Sequence, residues 1–245
     1  IMGYDIIQEA FKVKETIGVS PQETAISERL NSWENLTLIG KIHGMSSDKV
    51  KRRSGELLKL MGLTERGKDR VGKFSGGMKR RLSIAMAMVH DPPILFLDEP
   101  TLGLDPQARR VTWEHIAQLK GKKTILLTTH YMEEADFLSD RVAIIDEGRI
   151  VAVGTPSQLK ANLIKTPAML ILAENITPEI MQGLKARYPE VEEVDEKLRI
   201  SDENLDFREL TDYLHSNGAT IRSAALEEPS LEDVFIKLTG KELRD

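Results

Sequence analysis

Two adjacent carboxylates, Asp98 and Glu99, follow an apolar run at 94–97. Four consecutive apolar residues favour a strand buried on both faces of a parallel sheet, and α/β folds bind ligands at the carboxyl ends of such strands. Asp98 is suited to Mg²⁺, because hard cations prefer carboxylate oxygens and bound phosphates can complete the coordination. Glu99 could polarise an attacking water molecule. Taken alone, the pattern also fits a strand that ends in a solvated acidic turn.

A serine and two glycines, Ser75, Gly76 and Gly77, precede these carboxylates and begin a predicted helix. Backbone N–H groups are uncovered at a glycine-rich helix N-terminus, where the helix dipole is positive, so the segment is a candidate phosphate site. The Ser75 hydroxyl adds a donor. An isolated Ser-Gly-Gly would more often be a flexible turn with a serine N-cap.

Three further polar residues follow predicted strands or start a helix. His130 comes after a strand at 124–128, so it is expected at the same sheet edge as the carboxylates. Gln22 follows a predicted strand at 13–21. Asp105 precedes a proline, and this pair is typical of the N-cap and first position of a helix. Each residue is unremarkable by itself, so their order and spacing decide the interpretation.

The elements that position these residues change character along the chain. Helices are predicted to start near Ser32, Ser46 and Ser75, followed by alternating strands and helices over 94–160. The last third reads strand, helix, strand, strand, helix, strand, with a final helix capped by Ser230, which is the order of ferredoxin-like domains. The sequence therefore predicts an α/β fold with a parallel sheet and right-handed crossovers, followed by a smaller α+β domain.

Composition and charge limit the classes of function. The 245 residues are 40% hydrophobic and 30% charged, as in globular domains, and no apolar run approaches the ~20 residues that span a bilayer. Disulfides and thiol chemistry are excluded because cysteine is absent. Residues 1–165 carry 25 basic and 21 acidic side chains, whereas 166–245 carry 9 and 18. An acidic second part would repel phosphate backbones, so no nucleic-acid partner is expected.

Together the motifs resemble those of the ABC ATPase family over residues 1 to about 160. The matching segments are Gln22 (Q-loop), 74–78 (signature motif), 95–99 (Walker B), 102–105 (D-loop) and His130 (switch histidine). The resemblance implies a P-loop-NTPase-like core whose parallel sheet has helices on both faces, with a helical subdomain at about 24–92. The predicted domains are a partial ABC ATPase domain at 1–165 and an acidic accessory domain at 166–245.

The resemblance also implies a role for each motif residue. Two subunits of this family enclose two ATP molecules with Mg²⁺, and each signature motif closes on the nucleotide held by the partner. The implied roles are ATP binding by Ser75, Gly76, Gly77 and Asp105, metal binding by Gln22 and Asp98, and catalysis by Glu99 and His130.

Two features resemble ABC-2-type drug exporters in particular. Met78 stands where the family signature usually has glutamine, and a basic run, Lys79-Arg80-Arg81, follows it. The acidic tail that ends at 229–240 resembles the C-terminal extension of that subfamily. The implied protein is a homodimeric ATP-hydrolysing subunit at the cytoplasmic face of the membrane that drives a separately encoded transmembrane permease.

One departure from the family pattern is serious. No Gly-x-x-x-x-Gly-Lys-[Ser/Thr] motif occurs in the 245 residues, and the first six residues resemble the segment that follows the P-loop helix in family members. We therefore expect an N-terminal truncation before the Q-loop, and we expect the chain as given to be inactive by itself.

Two alternatives remain open at this point. A non-catalytic subunit that lacks a P-loop could donate its signature half-site to a partner, although Glu99 and His130 would then have no nucleotide of their own. A soluble ABC ATPase of DNA repair or translation is disfavoured by the acidic tail and the exporter-like signature.

Overall fold

The computed structural model describes residues 1–161, 168–194, 197–202, 205–227 and 229–240. The chain divides into two compact units, Ile1–Leu138 and Ser139–Asp245. The expected boundary between residues 165 and 166 lies outside the described residues. The division into domains 1–165 and 166–245 therefore stays a prediction.

A three-stranded parallel sheet organises the first unit. Its strands are β1 (Ile17–Ser20), β2 (Ile94–Asp98) and β3 (Thr124–Thr128), in the order β1-β2-β3. Ser20 is in register with Leu97, and Asp98 with Thr128. The carboxyl ends of all three strands therefore meet at one edge, as the sequence predicted for β2 and β3.

The prediction of a strand from residue 13 to 21 was wrong in its first part. Helix α1 (Ala10–Thr16) occupies that part, and β1 follows it directly. Val13 is the buried residue of α1 and Ala10 is partly buried. Their three-residue spacing puts both on one side of a helix, so the helical pattern prevails over alternation in this short segment.

Further helices complete the first unit, and most begin at the predicted caps. Ser46, Ser75 and Asp105 occupy N-cap positions as expected. The prediction for Ser32 was wrong, because Asn31 caps this helix through a reciprocal pair of hydrogen bonds with Glu34. The helices are α2 (Ser32–Ile42), α3 (Ser47–Leu60), α4 (Gly76–Ala87), α5 (Pro106–Ala117) and α6 (Met132–Leu138).

The core of the first unit lies on one side of the sheet. Leu95 and Leu97 of β2 are fully buried there, whereas Phe96 is only partly buried. Val19 and Leu126, the register partners of Phe96 on the flanking strands, are exposed. Burial of β2 on both faces, predicted from its apolar run, is therefore incomplete, because the side that carries Phe96 is only partly covered.

The second unit begins with an antiparallel hairpin. Strands β4 (Val142–Asp146) and β5 (Arg149–Gly154) pair across a two-residue turn, and helix α7 (Pro156–Ala161) follows. The predicted capping box is confirmed. Gln158 donates its backbone N–H to the Thr155 hydroxyl over 3.1 Å, and the Gln158 side chain accepts from the Thr155 N–H over 3.0 Å.

A four-stranded antiparallel sheet forms the rest of the second unit. Its strand order is β7-β8-β6-β9, and two helices between the strands pack on it around an apolar core. This order matches the predicted ferredoxin-like arrangement. The elements are β6 (Ala168–Glu174), α8 (Pro178–Arg187), β7 (Glu190–Val194), β8 (Lys197–Ser201), α9 (Phe207–Ser216) and β9 (Thr220–Glu227).

The last described helix, α10 (Leu231–Thr239), begins at the predicted Ser230 cap and packs against α7. Leu231 and Val234 are buried, and Leu238 is exposed. Over the described stretches of the chain, no helix is both long enough and apolar enough to span a bilayer.

Candidate nucleotide-hydrolysis site

The ends of β2 and β3 bring two carboxylates, a threonine and a histidine together. The Thr128 hydroxyl donates to Oδ1 of Asp98 over 2.5 Å. Oε2 of Glu99 lies 2.9 Å from Nδ1 of His130. The Glu99 side chain is 19% exposed and that of His130 is 41% exposed, so the pair is accessible but partly covered. A carboxylate that an imidazole holds in a fixed orientation is chemically able to act as a proton acceptor.

Glu99 adopts an unusual backbone conformation. Its φ is +46°, a region that residues other than glycine rarely occupy. The Glu99 N–H donates to the Thr128 carbonyl oxygen over 3.1 Å and to the Thr128 hydroxyl over 3.2 Å. Such strain costs on the order of 1–3 kcal/mol and is retained where the surroundings hold it, most often at functional sites. Here β3 supplies the bonds that hold Glu99 in place.

The Ser-Gly-Gly segment forms the N-terminus of α4. The Ser75 side chain accepts from the Met78 N–H over 3.3 Å, as a serine N-cap does. Gly77 packs closely on α5, because an added Cβ would lie 2.9 Å from Cβ of Ala108. Asp105, the N-cap of α5, accepts from the Ala108 N–H over 2.9 Å. The signature and D-loop segments therefore adjoin each other at two neighbouring helix N-termini.

The predicted site residues thus fall into two groups. The strand-end group holds the Glu99–His130 pair together with Asp98. The helix-end group holds Ser75, Gly76, Gly77 and Asp105. Within the described ranges, no hydrogen bond joins a side chain of one group to a side chain of the other. Gln22 is exposed in the loop after β1, and its carbonyl oxygen accepts from Arg80 over 3.1 Å.

Two buried charged residues beneath this site were missed by sequence reasoning. Arg80 is 5% exposed, although it belongs to a basic run that reads as solvated surface. Glu134 of α6 is fully buried and follows an exposed glutamate. One signal was available for Arg80, because Ile84 and Ala87 lie four and seven residues further along α4 and are also buried. Nothing in the local pattern distinguishes Glu134 from Glu133.

Glu134 of α6 joins Thr101, directly before the D-loop, to Trp113 of α5. Its Oε1 accepts from the Thr101 hydroxyl over 2.9 Å and from the Trp113 indole N–H over 2.8 Å. Burial raises the pKa of Glu134 above its ordinary value, although hydrogen bonding to the carboxylate opposes the shift. Its Oε2 has no hydrogen-bond partner among the described residues.

Comparison with protein families identifies both parts of the chain. Residues 3–102 match the ABC transporter family, and residues 154–239 match the C-terminal domain of ATP-binding proteins of the DrrA1-3 type.

Individual relatives match nearly the whole chain. The linearmycin resistance ATP-binding protein LnrL of Bacillus subtilis is 38% identical over 99% of this chain and 80% of its own length. The daunorubicin resistance ATP-binding protein DrrA2 of Streptomyces coeruleorubidus is 37% identical over 98% of this chain and 77% of its own length. A Nod factor export ATP-binding protein of Cupriavidus metallidurans is 37% identical over all of this chain and 80% of its own length.

A solved structure of the ATP-binding subunit of an ABC transporter has the same fold. It superposes with a TM-score of 0.56 at 31% identity, over 66% of this chain and 68% of that one. The shared fold, the matched families and the relatives that align along nearly the whole chain agree with the motif order seen in the sequence. The chain belongs to the family of ABC transporter ATP-binding proteins, in the DrrA-like drug-exporter group.

Proposed function

We propose that this chain is the ATP-hydrolysing subunit of an ABC-2-type exporter and that Glu99 is its general base. The observation that carries the proposal is the 2.9 Å contact between Glu99 and His130 at the end of β2, beside Asp98. In this assignment Glu99 accepts the proton of the attacking water, while His130 orients the carboxylate and binds the γ-phosphate.

The residues present fit ATP with Mg²⁺. Asp98 is exposed at the strand end and accepts one hydrogen bond on Oδ1, which leaves carboxylate lone pairs for a cation. Among the residues that the structure describes, no cluster of three or more His, Asp or Glu side chains could hold a metal by itself. A site of one carboxylate, the Gln22 side chain and phosphate oxygens suits Mg²⁺, which neutralises phosphate charge when bound.

The helix-end group is proposed to act on a second nucleotide. Ser75, Gly76 and Gly77 present a hydroxyl and backbone N–H groups at the positive end of α4, with Asp105 beside them. We assign this group to the ATP held by the partner subunit of a dimer. Among the described residues, no side-chain hydrogen bond ties this group to the strand-end group, which supports the assignment to a second nucleotide.

The proposal for partner and location rests on the relatives. Their names describe ATP-binding proteins of drug resistance and of Nod factor export. By that likeness, this chain is proposed to act at the cytoplasmic face of a membrane and to drive a separately encoded permease.

Hydrolysis is proposed for a chain that carries a P-loop, and not for these 245 residues alone. The sequence given contains no Gly-x-x-x-x-Gly-Lys-[Ser/Thr] motif, and phosphoryl transfer depends on the amides and the lysine that such a loop supplies. Phosphate release by the purified 245-residue chain is therefore expected to equal that of its own Glu99→Gln variant. A clear excess over this variant would contradict the expectation that the 245 residues alone are inactive.

The deciding experiment uses a longer protein, in which a segment with a P-loop motif precedes the 245 residues. Glu99→Gln should lower kcat about 10²–10⁴-fold, because the amide cannot accept the proton, while ATP binding persists. ATP should then hold the dimer closed, which light scattering would detect as a doubling of mass. Glu114→Gln, on the exposed surface of α5, is the matched control and should keep the parental rate.

Two outcomes would overturn parts of this proposal. An unchanged rate for Glu99→Gln would move the base role elsewhere, with His130 as the next residue to test. If the longer protein with a P-loop binds ATP and hydrolyses none, but activates a second ABC subunit, the chain would instead be a non-catalytic donor of the signature half-site.

A further inference from the structure

Arg80 is a buried cation one turn into the helix that starts at the signature motif. Its side chain leaves α4 toward the carboxyl ends of β1 and β2, and the residue is 5% exposed. Burial lowers the pKa of the Arg80 guanidinium, although the nearby carboxylates of Glu134, Asp98 and Glu99 oppose this. Arginine nevertheless stays charged in proteins, so this position holds a desolvated positive charge.

Among the described residues, the Arg80 guanidinium donates only to backbone carbonyl groups. Its Nη1 bonds to the carbonyl oxygens of Pro21, at 2.5 Å, and Gln22, at 3.1 Å. Its Nη2 bonds to the carbonyl oxygen of Asp98, and its Nε bonds to that of Pro100 over 2.9 Å. One side chain therefore fixes the loop after β1 to the end of β2, and it fixes both to α4.

This arrangement places the two expected metal-binding residues under one constraint. Gln22 and Asp98 are far apart in sequence, and β1 and β2 pair only as far as Ser20 and Leu97. The Arg80 fork spans the gap beyond those pairs. A planar guanidinium with five donors holds several acceptors in a fixed relation, which a lysine ammonium, a single point charge, cannot do.

We propose that Arg80 is a positioning residue that holds the Gln22 backbone in place relative to Asp98. The inference rests on the proposed ATPase function for its catalytic consequence, but its geometric part does not depend on hydrolysis. Arg80 contacts neither nucleotide nor metal in this assignment.

Arg80→Lys keeps the charge and removes the fork, and the neighbouring residue offers a matched control. Arg81 is partly buried in the same helix, and no hydrogen bond from its side chain is found among the described residues. Arg81→Lys is therefore the same substitution one position along, without the carbonyl contacts.

The first measurement uses the 245-residue chain and needs no ATP. Amide hydrogen exchange over residues 20–26 should be at least tenfold faster in Arg80→Lys than in the parent, while exchange in α3 is unchanged. Arg81→Lys should match the parent in both segments. If Arg80→Lys does not fold, Arg80→Gln is measured in the same way. Equal exchange over 20–26 in the parent and in the folded Arg80 variant would overturn the proposal.

The second measurement uses the protein with its P-loop. Arg80→Lys should lower kcat at least tenfold and raise the Mg²⁺ concentration for half-maximal rate, while KM for ATP changes less than threefold. Faster exchange with unchanged kcat and Mg²⁺ dependence would reduce Arg80 to a structural role and overturn the proposal. If the parent itself hydrolyses no ATP, the proposed function fails, and the exchange result alone decides whether Arg80 holds the loop.

Discussion

The two units of this chain bury different kinds of side chain. In the described part of Ser139–Asp245, Ser201 is the one polar residue among the fully buried side chains, and the rest of that core is apolar or aromatic. The first unit buries two charged groups, Arg80 and Glu134, as well as six hydroxyl groups and one amide. Its other buried polar residues are Ser20, Ser32, Asn35, Ser54, Ser83, Thr101 and Thr112.

This difference shows where each unit is organised for stability and where for function. Buried charges are costly and stabilise little compared with apolar side chains of the same size. In the first unit they lie directly beneath the strand ends that carry Asp98 and Glu99, where they fix loops. The second unit lacks such groups in its described core, so we expect packing alone to account for its stability.

The largest expected effect tests the packing of the second unit. Leu184 of α8 is fully buried in its core, so Leu184→Ala should lower the free energy of unfolding by about 2–5 kcal/mol. Amide hydrogen exchange should also be faster in Leu184→Ala than in the parent, and this increase should be confined to β6, β8 and β9. Gln182→Ala, on the exposed side of the same helix, should stay within about 0.5 kcal/mol of the parent. A loss below 1 kcal/mol for Leu184→Ala would show that packing does not dominate this unit.

The next effect concerns the close approach of strand β1 to helix α4 in the first unit. An added Cβ on Gly18 of β1 would lie 2.0 Å from the Ala87 carbonyl oxygen, so Gly18→Ala must push the strand away from α4. We expect a loss of about 1–3 kcal/mol by chemical denaturation.

Gly55→Ala provides the matched control within the same unit. Gly55 lies inside α3, and its added Cβ would make ordinary contact with Trp33 at 3.4 Å. Alanine should therefore stabilise the protein by up to about 1 kcal/mol, since glycine is a poor helix former. If the two substitutions changed the free energy of unfolding equally, the close approach of β1 to α4 would not be important for stability.

Much of the fold could be predicted because its elements have strong local signals. The apolar run of β2, the Asp105 cap and the capping box at Thr155 each fix an element by short-range chemistry. The start of β1 was wrong because the segment around Val13 has one buried residue and no decisive period.

The candidate site divides in the same way. Glu99 and His130 could be predicted to meet, because they follow strands that lie side by side in a parallel sheet. Glu134 could not, because it follows another glutamate and only tertiary packing decides which of the two points inward. Arg80 shares a face of α4 with the apolar residues Ile84 and Ala87, but its place in a basic run hides that signal. The residues that hold the site were therefore less predictable than the residues expected to react.

The smallest expected effect examines the buried charge that the second unit lacks. Burial raises the folded-state pKa of Glu134 above the ordinary value of 4.5, so the folded protein binds the proton more tightly than the unfolded chain does. The contribution of Glu134 to stability is then fully present below pH 4.5, and it is lost as the pH rises through the raised folded-state pKa.

Glu134→Gln removes this pH dependence and keeps an oxygen that can accept from Thr101 and Trp113. The variant amide has no partner for its second group, as Oε2 has none among the described residues, so the variant should equal or fall slightly below the parent at pH 4. Above that pH the parent loses stability relative to the variant, and the difference in free energy of unfolding should shift toward the variant as the pH approaches 7. Other carboxylates also titrate in this pH range, and taking the difference between the two proteins cancels their contributions. Asp91 is an example: its pKa is lowered, so its contribution to stability is lost as the pH falls. A difference that stays constant from pH 4 to 7 would mean that Glu134 is ionised in the fold at no net cost. The free-energy cost of burying the Glu134 charge would then be fully offset within the fold. The contrast between the two cores would not extend to their energetics.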